Sequence, residues 1–304
     1  MKTEENSSRT SSEKRGYLKR DFEIFHIKDK RSIEFKYHHH DFHKIVFFIS
    51  GGVTYHIEDR AYDLEPWDIL MVGNTEIHKP VIEGDKIYER IVLWVYPDFL
   101  KKNNSDKSNL LQCFQRSKER NYHRLRVSIE ELSEVKRLLK DLLSCKGSED
   151  FGTDIMEKLI FLRLMVELNR LFLKKGDEKE EDGISYDENI TALINYINRN
   201  LSEDLSIEQL SARFYLSRYY LMHKFKEETG TSIYSFIIQK RLIKSRELMK
   251  EGTPITEAAS LCGFKDYSTF VKAFKKSYNC TPREYLKELN KPQISKEGLK
   301  DIDF

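Results

Sequence analysis

Histidine is the residue type whose spacing most suggests chemistry here. His38, His39, His40 and His43 are clustered, and His78 follows further on. Three imidazoles can hold Zn2+ or Fe2+. Lys44 lies beside them, and an ammonium is a poor neighbour for a metal cation. The sequence therefore favours a metal-free reading. His40 and His78 point inward and hydrogen-bond a small molecule, as the few polar groups of a mostly apolar pocket do. His39 and His43 are read as solvent-facing strand residues. Tyr55, Trp67 and Trp94 are candidates for a wall on which a sugar or other planar ligand stacks, although large aromatics of a β domain also serve as core. No G-x-S-x-G, Walker loop, G-x-G-x-x-G or H-E-x-x-H occurs, so no nucleophile or phosphate-loop chemistry is indicated. No cofactor and no enzymatic activity are expected.

The elements that position these residues read as β. From about Tyr17 to Tyr96, short apolar runs alternate with turns: Ile45–Ile49, then Gly51-Gly52, then Val53, Tyr55 and Ile57, then Ile69–Val72, then Ile87–Tyr96. Short strands at roughly 8–12-residue intervals imply a sandwich or barrel, and a small barrel encloses one small ligand. Two helices follow. Ser128 and Glu131 form a capping box ahead of Ile129, Leu132, Val135, Leu139 and Leu142. The second carries Phe151, Ile155, Leu159, Leu162 and Val166 on one face, with Ile160, Leu164, Leu168 and Leu171 widening its apolar surface.

Beyond an acidic, apolar-poor stretch, one pattern occurs twice. Ile207, Leu210, Leu216, Leu221, Phe225 and Gly230 are matched by Ile255, Ala258, Phe264, Phe270, Phe274 and Asn279. A fixed period marks one supersecondary unit used twice. Each copy reads as helix, tight turn, longer helix. Ser206 and Ser217 are N-caps in the first copy. In the second, Thr253 caps, Pro254 takes the first helical position and Gly263 breaks the helix. The front of each longer helix is polar and basic: Arg218, Tyr219, His223 and Lys226 in one; Lys265, Tyr267, Ser268, Thr269, Lys272, Lys275 and Lys276 in and around the other. An apolar rear with a basic front suits a DNA major groove.

Ser206 to Tyr285 resembles the DNA-binding domain of AraC-type (AraC/XylS) transcription regulators. The segments LSRYYLMHKFKEETGTS, RLIKSRELM and GFKDYSTFVKAFKKSYNCTPREY carry the likeness. The chain departs from the family pattern in placing Tyr215 where Gly is frequent and Ser211 and Ser245 where Ala is usual. The resemblance implies that Tyr219, Met222, His223, Tyr267, Ser268 and Lys272 face base edges, while Arg218, Lys265, Thr269 and Lys276 lie near phosphates. HHHDFHKIVFFISGG and YDLEPWDILMVGNTEIHKP resemble the small cupin barrel of the same regulators. In metal-binding cupins an H-x-H pair is followed by a carboxylate, and Lys44 stands at roughly that place. The resemblance also implies that the helix pair dimerises the chain; packing of both helices on their own barrel is the alternative.

Length and charge agree with this division. The chain has 304 residues and a net charge of only +2. Residues 190–290 hold 16 Lys and Arg against 11 Asp and Glu, whereas 174–189 hold 3 against 7. The basic excess thus falls on the repeat, the footprint of nucleic-acid binding. No apolar run approaches the ~18–20 residues of a membrane span. Cys113, Cys145, Cys262 and Cys280 are scattered, which suits reduced thiols in a cytoplasmic protein.

The expected organisation is α+β overall: a disordered tail (1–15), a cupin-like sensing barrel (16–127), a helix pair (128–173), an acidic linker (174–188), an all-α double helix-turn-helix (189–290) and a polar tail (291–304). The expected function is a sequence-specific regulator, activating carbohydrate or other small-metabolite genes. Its partners would be double-stranded DNA, a small effector such as a sugar, RNA polymerase and a second copy of itself. The competing readings are a cupin metalloenzyme with a helical appendage and a DNA-binding dimer that senses nothing.

Overall fold

Among the described residues, runs of β-branched and aromatic residues between turn residues build nine strands in the N-terminal unit of the computed structural model. They are β1 (Phe22–Asp29), β2 (His43–Ser50), β3 (Val53–Ile57), β4 (Arg60–Asp63), β5 (Ile69–Val72), β6 (His78–Ile82), β7 (Tyr88–Val95), β8 (Arg124–Leu125) and β9 (Ile184–Ser185). Four helices accompany them: α1 (Pro97–Lys102), α2 (Gln112–Arg120), α3 (Ile129–Cys145) and α4 (Thr153–Lys175). The structure describes residues 18, 20–29, 37–84, 86–175 and 184–289; the expected terminal tails and residues 176–183 of the expected linker lie outside them. The chain divides into two compact units, Met1–Tyr186 and Asp187–Phe304.

The strands form two antiparallel sheets, ordered β1-β7-β2-β5-β8 and β6-β3-β4-β9. The sequence anticipates a barrel; the sheets face each other without closing into one. Pro80, which has no N–H to give a further strand, lies on the edge strand β6. Gly51 makes the turn from β2 into β3 at φ +132, and a Cβ there would stand 3.1 Å from the Ile87 carbonyl oxygen.

β2 is buried on both faces. Ile45 and Phe47 join a core shared with Leu138, Leu142, Phe161, Leu164 and Leu168 of α3 and α4. Val46 and Phe48 join a second core with Tyr55, Ile57 and Tyr62 of the opposite sheet. All four β2 side chains are fully buried, each contributing roughly 1.5–3 kcal/mol. Layers therefore run helix, sheet, sheet.

The capping box of Ser128 and Glu131 is present. Ile129, read as the start of the apolar face, is exposed because it precedes the first turn that meets the sheet. α4 needs a larger correction. It buries Phe161, Leu164, Met165, Leu168 and Phe172, and leaves Ile155 and Leu159 in solvent, where Phe151 of the turn ahead of it also lies. An apolar surface this wide does not select its buried stripe by period; Phe22 selects it, stacking on Phe161 at 4.0 Å between ring centroids. Asn169 is buried and ties α4 to the start of α2, accepting from the Cys113 N–H and donating to the Leu110 carbonyl.

The second unit is helical: α5 (Glu188–Arg199), α6 (Ile207–Phe214), α7 (Arg218–Thr229), α8 (Ile233–Lys250), α9 (Ile255–Leu261), α10 (Tyr267–Tyr278) and α11 (Pro282–Leu289). Ser206 and Ser217 cap α6 and α7 as expected. Gly230 and Asn279 end α7 and α10 in the left-handed region. In the second copy Pro254, rather than Thr253, is the N-cap and offers no side-chain bond. The two turns differ. Tyr215 takes φ 55 in the first and is almost wholly exposed. Gly263 takes φ 81 in the second, where any Cβ would strike the Leu201 carbonyl oxygen. That same oxygen accepts from Arg241 Nε at 2.9 Å, so a point between the two copies is closed by a glycine and an arginine.

His43 corrects the sequence reading: it is buried, stacked on Phe114 at 4.1 Å, with Nδ1 accepting from the Asn74 N–H. Burial first, then Lys101 and Lys118, push its pKa down to about 3. The unfolded chain therefore binds a proton at His43 that the folded chain refuses, from pH 6.5 down to about 3, and stability falls with pH through that window. At pH 5 the loss from this residue is about 2 kcal/mol. Urea unfolding at pH 7.5 and 5 should show a stability difference smaller by about that amount in His43→Phe.

Candidate nucleic-acid interface and effector space

The first copy positions α7 by burying Leu221 and Phe225, with Phe225 against Phe236 of α8 at 5.5 Å. Tyr219, Met222 and His223 are left on the opposite, exposed face, at i, i+3 and i+4. The Tyr219 and His223 rings lie 4.2 Å apart. Arg218 is exposed and pairs with Glu208 of α6 at 3.1 Å. Met222 also reads as a partly buried helix residue from sequence; the structure exposes it.

The second copy seats α10 through Phe270 and Phe274 in a core with Leu242, Met249, Ala258, Ala259 and Cys262. Tyr267, Ser268, Thr269, Lys272 and Lys276 are exposed. Asp266 caps this helix, and one of its oxygens accepts from Ser268 Oγ at 2.6 Å and from Thr269 N and Oγ1 at 2.8 Å each. These bonds hold its carboxyl well below the usual carboxylate range. The Ser268 and Thr269 hydroxyl protons are thus committed to the cap, leaving Tyr267, Lys272 and Lys276 as exposed donors of this helix. Lys265 pairs with Asp204 at 3.4 Å. The capping role of Asp266 is legible as an acidic residue three before Thr269, a signal the repeat comparison passed over.

In the N-terminal unit, the register of β2 places Lys44, Val46 and Phe48 on the face toward the smaller sheet. Lys44 is directly opposite Trp94 of β7, and its ammonium lies 5.7 Å from the Tyr55 ring centroid. Burial, then Arg90, pushes the Lys44 pKa down to about 7. His40 stacks on Phe42 at 4.5 Å, 5.9 Å from Trp94. The Tyr55 and His78 rings are parallel at 6.0 Å. Tyr55 OH, Trp94 Nε1 and His78 Nε2 are buried without a hydrogen-bond partner. Burial, then Lys44 or His38, holds His40 and His78 well below the usual histidine range, so both are neutral near pH 7.

Four of the five residues proposed for an effector pocket therefore converge: His40, Tyr55, His78 and Trp94. Trp67 does not. It packs toward the helix side of the larger sheet, with Lys136 of α3 4.0 Å above its ring. Its positive φ of 74 turns it away. Lys44 is the residue the sequence missed as a lining group, because orientation across a sheet depends on register.

Sequence comparisons agree with both halves. The model of the AraC-like ligand binding domain matches residues 23–165, and that of a helix-turn-helix domain matches 210–288. The HTH-type transcriptional activator RhaS of Escherichia fergusonii is 26% identical over 82% of this chain and 87% of its own length. RhaS of Salmonella schwarzengrund is likewise 26% identical over the same shares. Among solved structures, the DNA-binding domain of AdpA in complex with a target DNA superposes with a TM-score of 0.33 and 23% identity, covering 35% of this chain and 99% of that one. With a ligand-binding β domain ahead of two helix-turn-helix copies, the chain belongs to the AraC-type transcription regulators.

Proposed function

We propose that this protein is a cytoplasmic, effector-responsive transcription activator that acts as a homodimer on double-stranded DNA and engages RNA polymerase; it is not an enzyme. The observation that carries the reading is the pair of exposed faces, Tyr219, Met222 and His223 on α7 and Tyr267, Ser268 and Lys272 on α10, each backed by two buried core residues of its own helix. Activation is supported by relatives that are named activators. Carbohydrate as the effector class follows from the family resemblance. Base contacts fall to Tyr219, Met222, His223, Tyr267 and Lys272, and phosphate contacts to Arg218, Lys265 and Lys276; Ser268 and Thr269 join them by releasing their hydroxyls from the Asp266 cap. Arg218 and Lys265 must leave Glu208 and Asp204 to reach phosphate. Exposed, solvent-screened pairs of this kind contribute little, so the exchange is cheap.

The effector sits among Lys44, Tyr55, His40, His78 and Trp94, where unpaired buried donors match the oxygens of a polyhydroxylated ligand. Tyr186 ends this unit. Its hydroxyl bonds His56 Nδ1 at 2.7 Å and Tyr37 OH at 3.2 Å. Asp187 then caps α5 and accepts from Tyr220 OH of α7 at 3.2 Å. Adjacent residues are thus tied, one to the sensing unit and one to a recognition helix. An effector that shifts Tyr37 biases this junction, a population shift between DNA-binding states.

The second copy docks on α4. Ile155, Met156 and Leu159 are exposed there, beside an open groove of about 590 Å³ that Leu138, Ile160 and Arg163 also line.

Three measurements test this reading. Lys272→Ala should weaken binding to a selected site by about 1–3 kcal/mol and relax preference at one base position, whereas Lys276→Ala should weaken all sequences alike and flatten the salt dependence; a uniform loss in Lys272→Ala would place Lys272 on phosphate. In a thermal-shift screen of sugars, one ligand should raise the melting temperature of the wild type and not of Lys44→Met. No shift from any small metabolite would favour the dimer that senses nothing. Leu159→Arg should convert the dimer to monomer in light scattering at unchanged stability; a persisting dimer would move the interface elsewhere.

A further inference from the structure

His38, His40 and His78 bring one ring nitrogen each to within 4.8 Å of one another. Backbone pairing explains how. His38 and His78 exchange both main-chain hydrogen bonds, at 3.2 and 3.0 Å, which makes them directly opposed residues of an antiparallel pair, with side chains on one face. Their rings are 4.5 Å apart. His40 follows two residues on and its ring returns to the same cluster, 4.9 Å from His38 and 5.3 Å from His78.

A second, independent feature points to a ligand. His78 is about 1% exposed, and its Nε2 has no hydrogen-bond partner. Its Nδ1 lies 3.0 Å from the Glu76 carbonyl oxygen. A carbonyl only accepts, so Nδ1 carries the proton and Nε2 presents a bare lone pair. Leaving a buried acceptor unpaired is unfavourable. An imidazole whose outer N–H is fixed on a backbone carbonyl is also the arrangement that orients metal-binding histidines.

We propose that His38, His40 and His78 hold a divalent first-row transition-metal ion, represented by Zn2+, with the remaining coordination positions open to water or to an oxygen of a small ligand. Imidazole nitrogens suit Zn, Cu, Fe and Ni. With Zn–N bonds of ~2.0–2.1 Å, the nitrogens of a tetrahedral site stand about 3.3 Å apart, so the rings close by at most about 1.5 Å through side-chain torsions. The Lys44 charge, which argued against a metal in the sequence, lowers the affinity without supplying or removing a ligand. The ion cross-links residues 38–40 to the edge strand β6, next to Tyr37.

The test uses the full chain without a histidine tag, stripped with chelator and titrated with Zn2+ by calorimetry and with Co2+ by visible absorption. The expected result is one ion per chain and tetrahedral Co2+ bands. His38→Ala and His40→Ala should each weaken Zn2+ binding by more than the roughly 10- to 100-fold that loss of an outer partner costs. His39→Ala, whose ring lies outside the cluster, should bind as the wild type does. His78→Ala removes a buried side chain, so the two half-exposed positions carry the test if it fails to fold. Absence of stoichiometric Zn2+ uptake, or wild-type affinity in both His38→Ala and His40→Ala, would overturn the site. Metal uptake is read without DNA or effector, so its failure leaves the regulator reading untouched.

Discussion

β2 has no face turned to solvent, and the N-terminal unit is arranged around that fact. Ile45 and Phe47 need the helices; Val46 and Phe48 need the second sheet. A one-residue slip of β2 against β7 would send each set into the other's layer. It would also carry Lys44 out of the inter-sheet space and into the apolar contact with α3 and α4. The register that satisfies the core is thus the register that aims Lys44 and Trp94 at the candidate ligand space. Fold stability and site geometry rest on the same pairing.

That space has an unusual polarity. Its buried donors without a partner are the Tyr55 hydroxyl and the Trp94 indole N–H, with the Lys44 amine 5.7 Å from the Tyr55 ring centroid. The acceptor among them is His78 Nε2, and it faces His38 and His40 rather than a donor. Two kinds of demand therefore lie side by side, oxygens for the donors and a cation for the imidazoles. A polyhydroxylated effector would answer the first, and a metal ion would answer the second.

The DNA-binding unit solves one packing problem twice with different means. Each recognition helix is seated by two large apolar side chains four residues apart, Leu221 and Phe225 or Phe270 and Phe274. The turns ahead of them diverge. Tyr215 takes a left-handed backbone with its side chain in water. Gly263 has no such freedom, since Leu201 and Arg241 fill the place a side chain would take. The exposed faces differ too: the Tyr219 and His223 rings lie 4.2 Å apart on α7, while on α10 the short hydroxyls are drawn into the Asp266 cap and Lys272 is exposed. The two halves of a DNA site would be read by unlike chemistry.

The family, the repeat and the helix caps were legible in the chain, because each depends on neighbours a few residues away. Ser128 with Glu131, Ser217 with Tyr220 and Gly230 after α7 are local bonds and local torsions. That Tyr55, His78 and Trp94 share a face was partly legible as well, because strand residues alternate between faces. What the sequence could not settle were choices made by distant partners. The buried stripe of α4 was decided by Phe22 and the sheet, the burial of His43 by Phe114, and the displacement of Trp67 by its positive φ and Lys136. The three-histidine cluster belongs to this second group. A spacing of two places His38 and His40 on one side, but only the antiparallel bridge across to His78 brings the third imidazole to them.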